Sequence, residues 1–420
     1  MFDPHMLQQD FPILSTPLKS GKKLIYLDNA ATSQKPQVVI DAITQYYKRD
    51  NANVHRGIHE LGDRSTRSWH EARKTIATFF GATPEELVMT RNTTEGLNMV
   101  AYSYGEACVR EGDLILTTVM DHHSNQVPWQ ELARRKKARL EMIPVTREGM
   151  LDLEWLERKV KVEGEKVKIV AFPHVSNTLG TLNPVEKIVR LVRAFTKAVI
   201  ALDAAQSAPH LLINFDRLGV DFMAVSAHKM LGPMGIGALF IRQSLLENVS
   251  PWLFGGGMIG EVTKERATFA DDLEDRFTAG TPDVAGAVGW AAACEYLSKL
   301  DMKKVEQHDK ELVNYTLEKL QAIPEVEIVG PVERVKRYEV RGKRCGSVAF
   351  LYKGVHAHDV AQVLDSEGVA VRSGHHCTMP LHAAFGWAAT TRVSFNVYTS
   401  KEDIDVFVRA LGKVKEVFEK

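Results

Sequence analysis

Short apolar runs recur along the first two-thirds of the chain, and the stretches between several of them carry apolar residues at helical spacing. The runs ELVMT (86–90), LILTTV (114–119), LEMIPV (140–145), KIVAFP (168–173), AVIALD (198–203), FMAVSA (222–227) and GALFI (237–241) have the length of strands. Most lack polar alternation, as strands covered on both faces do. NPVEKIVRLVRAFTK (183–197) is amphipathic, as a helix lying on such a sheet is. The alternation predicts an α/β fold with a mainly parallel, seven-stranded central sheet.

The pattern changes after about residue 290. It predicts a helical stretch over 285–321, strands at VEIVG (326–330), GSVAFLY (346–352), GVAVRS (368–373) and TRVSFN (391–396), and a helix over 357–367. Ser400 followed by Asp403 resembles a capping box and starts a last helix. The expected organisation is an N-terminal segment (1–22) packing with a small domain, a large domain (23–290), and a smaller α+β C-terminal domain (291–420). The basic segment VERVKRYEVRGKRC (332–345) reads as a solvated loop or hairpin rather than a nucleic-acid patch.

Composition narrows the function classes. The 420 residues are 45% apolar, enough for more than one core. Lys plus Arg and Asp plus Glu number 53 each, so no global field holds nucleic acid. No apolar run reaches bilayer length, and the N-terminus lacks the pattern of a signal or transit peptide. The expectation is a soluble, cytoplasmic protein without a membrane partner. Cys108, Cys294, Cys345 and Cys377 form no CxxC pair, so neither a metal site nor a disulfide framework is expected. Cys294, in AAACEYL, reads as a small buried hydrophobe.

Candidate chemistry gathers at predicted strand ends, where α/β sheets bind ligands. Asp203 could hold a protonated pyridine nitrogen, and Gln206 could reach a ring oxygen. Lys229 ends a strand and precedes a glycine-rich loop, a place where a desolvated amine can form a Schiff base. Ser226 and His228 are suited to donate to a phosphate, and Thr93-Thr94 open a helix, a natural phosphate site. His122 follows LILTTVMD and could stack on a ring, while His123 would face the other way. Singly, a strand-end cap or an ordinary N-cap explains Asp203 and Thr93-Thr94 as well. Their joint order resembles pyridoxal-phosphate (PLP) enzymes of the aspartate-aminotransferase fold, fold type I. Cys377 lies in VRSGHHCTMPLH, where Gly374 permits a sharp turn and His375 and His376 could raise the thiolate fraction.

RSGHHC, together with DHHSNQVPW, SNTLGT, DAAQS, SAHKMLGPMGIG and AGTP, resembles the cysteine desulfurases of the class V aminotransferase superfamily, most closely the group-II, SufS-like ones. The likeness runs from YLDNAAT (26–32) to the C-terminal helix. It implies that Lys229 is the Schiff-base lysine and later removes the substrate α-proton. It implies that Asp203 pairs with the pyridine nitrogen, Gln206 with the ring oxygen, and that His122 stacks and moves protons. Thr93, Thr94, Ser226 and His228 would hold the phosphate, with Asn177 beside the ring. Thr281 would complete the phosphate site of a second copy, making a homodimer. Arg392 would clamp the carboxylate of L-cysteine, and Asn29, Ala30, His55 and Arg372 would line the substrate pocket. Cys377 would take the sulfur as a persulfide, leaving L-alanine. Selenocysteine lyases share these motifs, whereas a transaminase would not need Cys377; a non-catalytic scaffold subunit would not need Lys229, Cys377 and Arg392. Cys377 precedes Arg392 by 15 residues, a short loop that implies a sulfur acceptor or iron–sulfur scaffold protein presenting its own cysteine at the pocket. Asp121 stands where such enzymes usually carry Glu, Thr378-Met379 follow the cysteine, and the basic segment is longer than its usual counterpart.

Overall fold

The computed structural model describes residues 2–55, 57–332 and 344–418. The chain enters the fold through β1 (Ile25–Tyr26), which pairs in parallel with a strand near its other end. The apolar runs then form β2 (Leu87–Thr90), β3 (Leu114–Thr118), β4 (Arg139–Ile143), β5 (Val167–Pro173), β6 (Val199–Asp203), β7 (Phe222–Ser226) and β8 (Gly237–Ile241). They make one seven-stranded sheet in the order β2-β8-β7-β6-β5-β3-β4. From β7 to β4 the neighbours are parallel, and β8 runs antiparallel to both β7 and β2. All residues of β3, β6, β7 and β8 are buried, so only layers on both faces satisfy their side chains. Separate apolar clusters lie on the two faces, one around Phe172, Met223 and Trp290, the other around Trp129, Ile169 and Phe222.

An exposed hairpin, β9 (Ile259–Val262) and β10 (Ala267–Phe269), precedes the helix Val284–Leu300. That helix is apolar on nearly all sides and buries Cys294, as its sequence indicates. The expected stretch 285–321 is two helices, because Asp301 takes a left-handed φ of 67° and caps the second, Met302–Gln321, through Lys303 N. Beyond it, β11 (Val326–Val329), β12 (Ser347–Tyr352), β13 (Val369–Ala370), β14 (Arg372–Gly374) and β15 (Thr390–Ser394) follow. The second sheet is antiparallel, ordered β11-β12-β15-β14, while β13 leaves to pair with β1. GVAVRS is therefore not one strand: its two halves hydrogen-bond to different partners. The predicted capping box is present, with Ser400 N–H donating to Asp403 Oδ2 (2.9 Å) and Asp403 N–H to Ser400 Oγ (3.1 Å).

Among the contacts that tie the parts together, two lie away from the strand ends. Phe11 of the N-terminal segment packs on both Tyr296 and Tyr398. His210, after β6, sits 3.2 Å from Asp309 of the helix Met302–Gln321, with Cys345 buried beside them. Most of the basic segment 332–345 lies outside the described residues. Its end does not follow the solvated reading: Arg344 is buried and donates to Val329 O and Pro331 O.

Candidate active site

The C-terminal ends of the parallel strands open into one cavity of about 550 Å³. Lys229, Asp203, Gln206, His122, Thr93, Thr94, Asn177, Ser226, His228, Ala30, Arg372, Arg392 and Cys377 all line it. Asn29 lies behind the wall, donating to Tyr26 O and Ser394 O and accepting from the Tyr398 hydroxyl. His55 and Thr281 do not border the cavity in the single chain; Thr281 Oγ1 donates to Asn53 Oδ1 (3.2 Å) on an exposed surface.

Each strand end supplies a different group. Asp203 closes β6, and among the described residues its carboxylate accepts a hydrogen bond only from Ala205 N–H (2.9 Å). Burial raises its pKa, opposed chiefly by Lys229. A buried carboxylate so lightly satisfied suits a cationic donor, such as a protonated ring nitrogen would be. Lys229 follows β7, and burial lowers its amine to about 8. Gln206 donates to Ala30 O (2.8 Å).

The phosphate-sized end is built at the helix Thr93–Val100, whose N-cap Asn92 accepts Glu95 N–H. Ser226 Oγ meets Thr93 Oγ1 at 2.8 Å and accepts Thr93 N–H at 2.9 Å, while Thr94 Oγ1 reaches Ser124 Oγ at 2.7 Å. This approach requires Gly237: a Cβ there would come within 2.5 Å of Val225 O and 2.8 Å of Asn92 Cα. Hydroxyls and first-turn amides at one helix N-terminus fit an anionic ester group.

His122 is held by Asp121, which the sequence marked only as a departure. Its carboxylate is buried and accepts from Thr117 Oγ1, Thr118 N–H, Thr118 Oγ1 and Asn125 Nδ2. That network shapes the turn after β3. His122 Nδ1 accepts Ser124 N–H (3.1 Å), so the ring's proton rests on Nε2. Burial, reinforced by Lys229, pushes the His122 pKa down to about 3, and the ring is neutral near pH 7.

At the other wall, Arg372 binds Asp28 through Nε and Nη2 at 3.0–3.2 Å, and Arg392 Nη2 lies 3.4 Å from Asp28 Oδ1. Sequence reasoning missed Asp28, though it stands within YLDNAAT. Two guanidiniums sharing one carboxylate leave a positive charge for a second. Arg392 Nε is buried without a hydrogen-bond partner among the described residues, a donor suited to a carboxylate ligand.

Cys377 sits on a tight turn after β14. Thr378 N–H donates to His375 O (2.8 Å), and the two central residues, His376 and Cys377, have φ of 51° and 58°. Left-handed backbone costs a non-glycine residue about 1–3 kcal/mol, so the surroundings must impose this turn. His376 does not act on the thiol as expected. Its Nε2 faces Thr390 (3.0 Å to Oγ1), and burial holds it neutral, well below the usual imidazole range. The cations that share the cavity with Cys377 are Lys229, Arg372 and Arg392.

Residues 25–407 match the family model Aminotransferase class-V. The chain belongs to the aminotransferase class-V family. Within this family it is 46% identical to a probable cysteine desulfurase of Staphylococcus epidermidis, over 99% of the chain and 98% of the relative. It is 45% identical to a probable cysteine desulfurase of Staphylococcus aureus at the same coverage. A cysteine desulfurase structure from Thermococcus onnurineus superposes with a TM-score of 0.90 at 39% identity, covering 100% of this chain and 99% of that one. The cysteine desulfurase CsdA from Escherichia coli gives 0.88 at 32% identity, covering 99% of each.

Proposed function

We propose that this class-V protein is a PLP-dependent cysteine desulfurase that takes sulfur from L-cysteine, leaving L-alanine and a persulfide on Cys377. One observation carries the reading: an exposed cysteine, a half-buried lysine of lowered pKa and a buried arginine with a spare donor line one cavity. Bound PLP supplies an aldehyde for an amine and a ring that draws electron density from the substrate's α-carbon. Lys229 would hold it covalently and Asp203 would neutralise its ring nitrogen. Thr93, Thr94, Ser226 and His228 would take its phosphate, and His122, Asn177 and Gln206 would border its ring.

Arg392, with Arg372 and Asp28 behind it, orients the substrate carboxylate. Lys229, half-deprotonated near pH 8, accepts the α-proton. The Cys377 thiolate forms a bond to the substrate sulfur as the carbon–sulfur bond breaks. The electron pair left on the β-carbon takes one proton, and Lys229 returns a proton to the α-carbon, completing L-alanine. Neutral His122, carrying its proton on Nε2 toward the cavity, is placed to pass protons on this face.

The same reading includes the group-II, SufS-like subtype, supported by the short Cys377–Arg392 spacing, and a role in supplying iron–sulfur assembly. It includes a cytoplasmic location; among the described residues no helix is long and apolar enough to cross a membrane. It includes a homodimer in which Thr281 completes the second copy's phosphate site, consistent with its exposed position, and it keeps the large (23–290) and small (291–420) domain division. The test is alanine and sulfide release from L-cysteine, with L-selenocysteine in parallel and mass by light scattering. No alanine from L-cysteine, with release from L-selenocysteine, would make the protein a selenocysteine lyase; a fully active monomer would remove the dimer.

A further inference from the structure

The Cys377 turn is held mainly by a residue outside its own loop. Asn177 Nδ2 donates to His376 O (2.7 Å), and Thr178 Oγ1 meets Thr378 Oγ1 (2.9 Å). The largest share falls to His123. Its backbone N–H donates to Cys377 O (2.8 Å), and its ring Nε2 accepts Met379 N–H (3.1 Å). His123 thus grips the turn at two points that follow the nucleophile's Cα, its carbonyl and the amide two residues on, while Asn177 holds the peptide before it, and the ring contact spans 256 positions of sequence. Its neighbour His122 lines the cavity, whereas His123 does not. Adjacent residues after β3 therefore divide two tasks, one facing the site and one facing the loop that brings the thiol to it.

The ring contact matters because of what it opposes. His376 and Cys377 both hold a left-handed backbone that relaxes to negative φ if released, and such a relaxation swings the Cys377 side chain away from its present direction. Met379 N–H opens the helix Met379–Phe385 and would otherwise have no intrahelical acceptor. An acceptor at that point pins the helix start, and with it the end of the turn.

We propose that His123 is a positioning residue that holds the Cys377 turn in its strained form, so that the thiol meets the substrate sulfur. The proposal rests on the desulfurase reading for its kinetic consequence, and on the geometry alone for its structural one. The test compares the holoenzyme with His123→Ala and His123→Gln. In His123→Ala, amides of residues 375–380 should exchange with solvent roughly tenfold faster or more, with exchange elsewhere unchanged. The kcat for alanine release should fall roughly ten- to hundredfold, at constant KM and constant cofactor absorbance. In His123→Gln the side-chain oxygen can still accept Met379 N–H, and most of both effects should be recovered. Wild-type exchange in His123→Ala overturns the proposal, and so does equal loss in the two variants. A changed cofactor spectrum also overturns it, because His123 would then be acting on the cofactor. Failure of the unmodified protein to release alanine from L-cysteine refutes the desulfurase reading instead, and leaves the exchange comparison to judge the clamp.

Discussion

Lys229 and Cys377 face the same cavity from opposite kinds of support. Lys229 follows a fully buried strand, and the preceding carbonyl, His228 O, accepts from Thr32 Oγ1 (3.1 Å), Ser33 N–H (3.0 Å) and Lys35 Nζ (2.9 Å). Its backbone is over-determined, and its amine is desolvated. Cys377 is exposed, sits on a turn of unfavourable φ, and is held from outside by Asn177 and His123. An attachment point for a cofactor gains from rigidity and from a lowered amine pKa. A nucleophile that must pass sulfur onward needs an open side, so its placement is left to a few removable hydrogen bonds. On the proposed function, binding and activation would live in the sheet, and transfer on the loop.

Substitutions at the two sites should separate these tasks. The largest effect is expected for Lys229→Ala: no lysine should be labelled when the protein is reduced with borohydride in the presence of PLP, and alanine release should fall below detection. A reducible link on another lysine would move the attachment point away from β7 and break the comparison.

Cys377→Ser should keep the cofactor absorbance and its response to L-cysteine, while kcat for alanine release drops about a hundredfold or more, because a hydroxyl is far less ionised than a thiol and attacks sulfur poorly. Wild-type turnover in this variant would show that the loop has no part in the chemistry. A smaller loss with L-selenocysteine is expected, since its weaker carbon–selenium bond depends less on a nucleophile.

Arg392→Lys keeps the charge and loses the fork. KM for L-cysteine should rise about tenfold, with a lesser change in kcat. An unchanged KM would assign the carboxylate to Arg372 alone, which already spends two donors on Asp28.

The mildest effect concerns pH. Burial is the main reason that Lys229 has its pKa lowered to about 8, and only the neutral amine attacks an aldehyde. The rate at which cofactor-free protein captures PLP should therefore rise with pH through a midpoint near 8, rather than near the usual lysine value of about 10.4. A midpoint at the usual value would mean that Lys229 is solvated before the cofactor arrives.

Local signals in the sequence carried the sheet and the cofactor wall. Each central strand is a continuous apolar run bounded by polar residues, so burial on both faces can be read from a few residues at a time. The residues that close β6 and β7, Asp203 and Ser226 to Lys229, inherit their place from those runs. Cys294 and the Ser400 cap were legible for the same reason. Where a chain break depended on partners, the pattern failed: β13 and β14 are adjacent in sequence yet join different sheets, and Asp301 divides two helices through a φ that its neighbours in sequence do not require. The opposite wall of the site was legible only as a resemblance. Asp28 meets Arg372 and Arg392 across 344 and 364 positions, and His123 meets Met379 across 256. These contacts unite elements that share no local pattern. Sequence alone determined which residue types stand at strand ends, because burial repeats at short period along the chain; the folded structure alone decided which of them share a charge, a hydrogen bond or a strained turn, because those interactions act through space over a few ångströms and are indifferent to the length of chain between them.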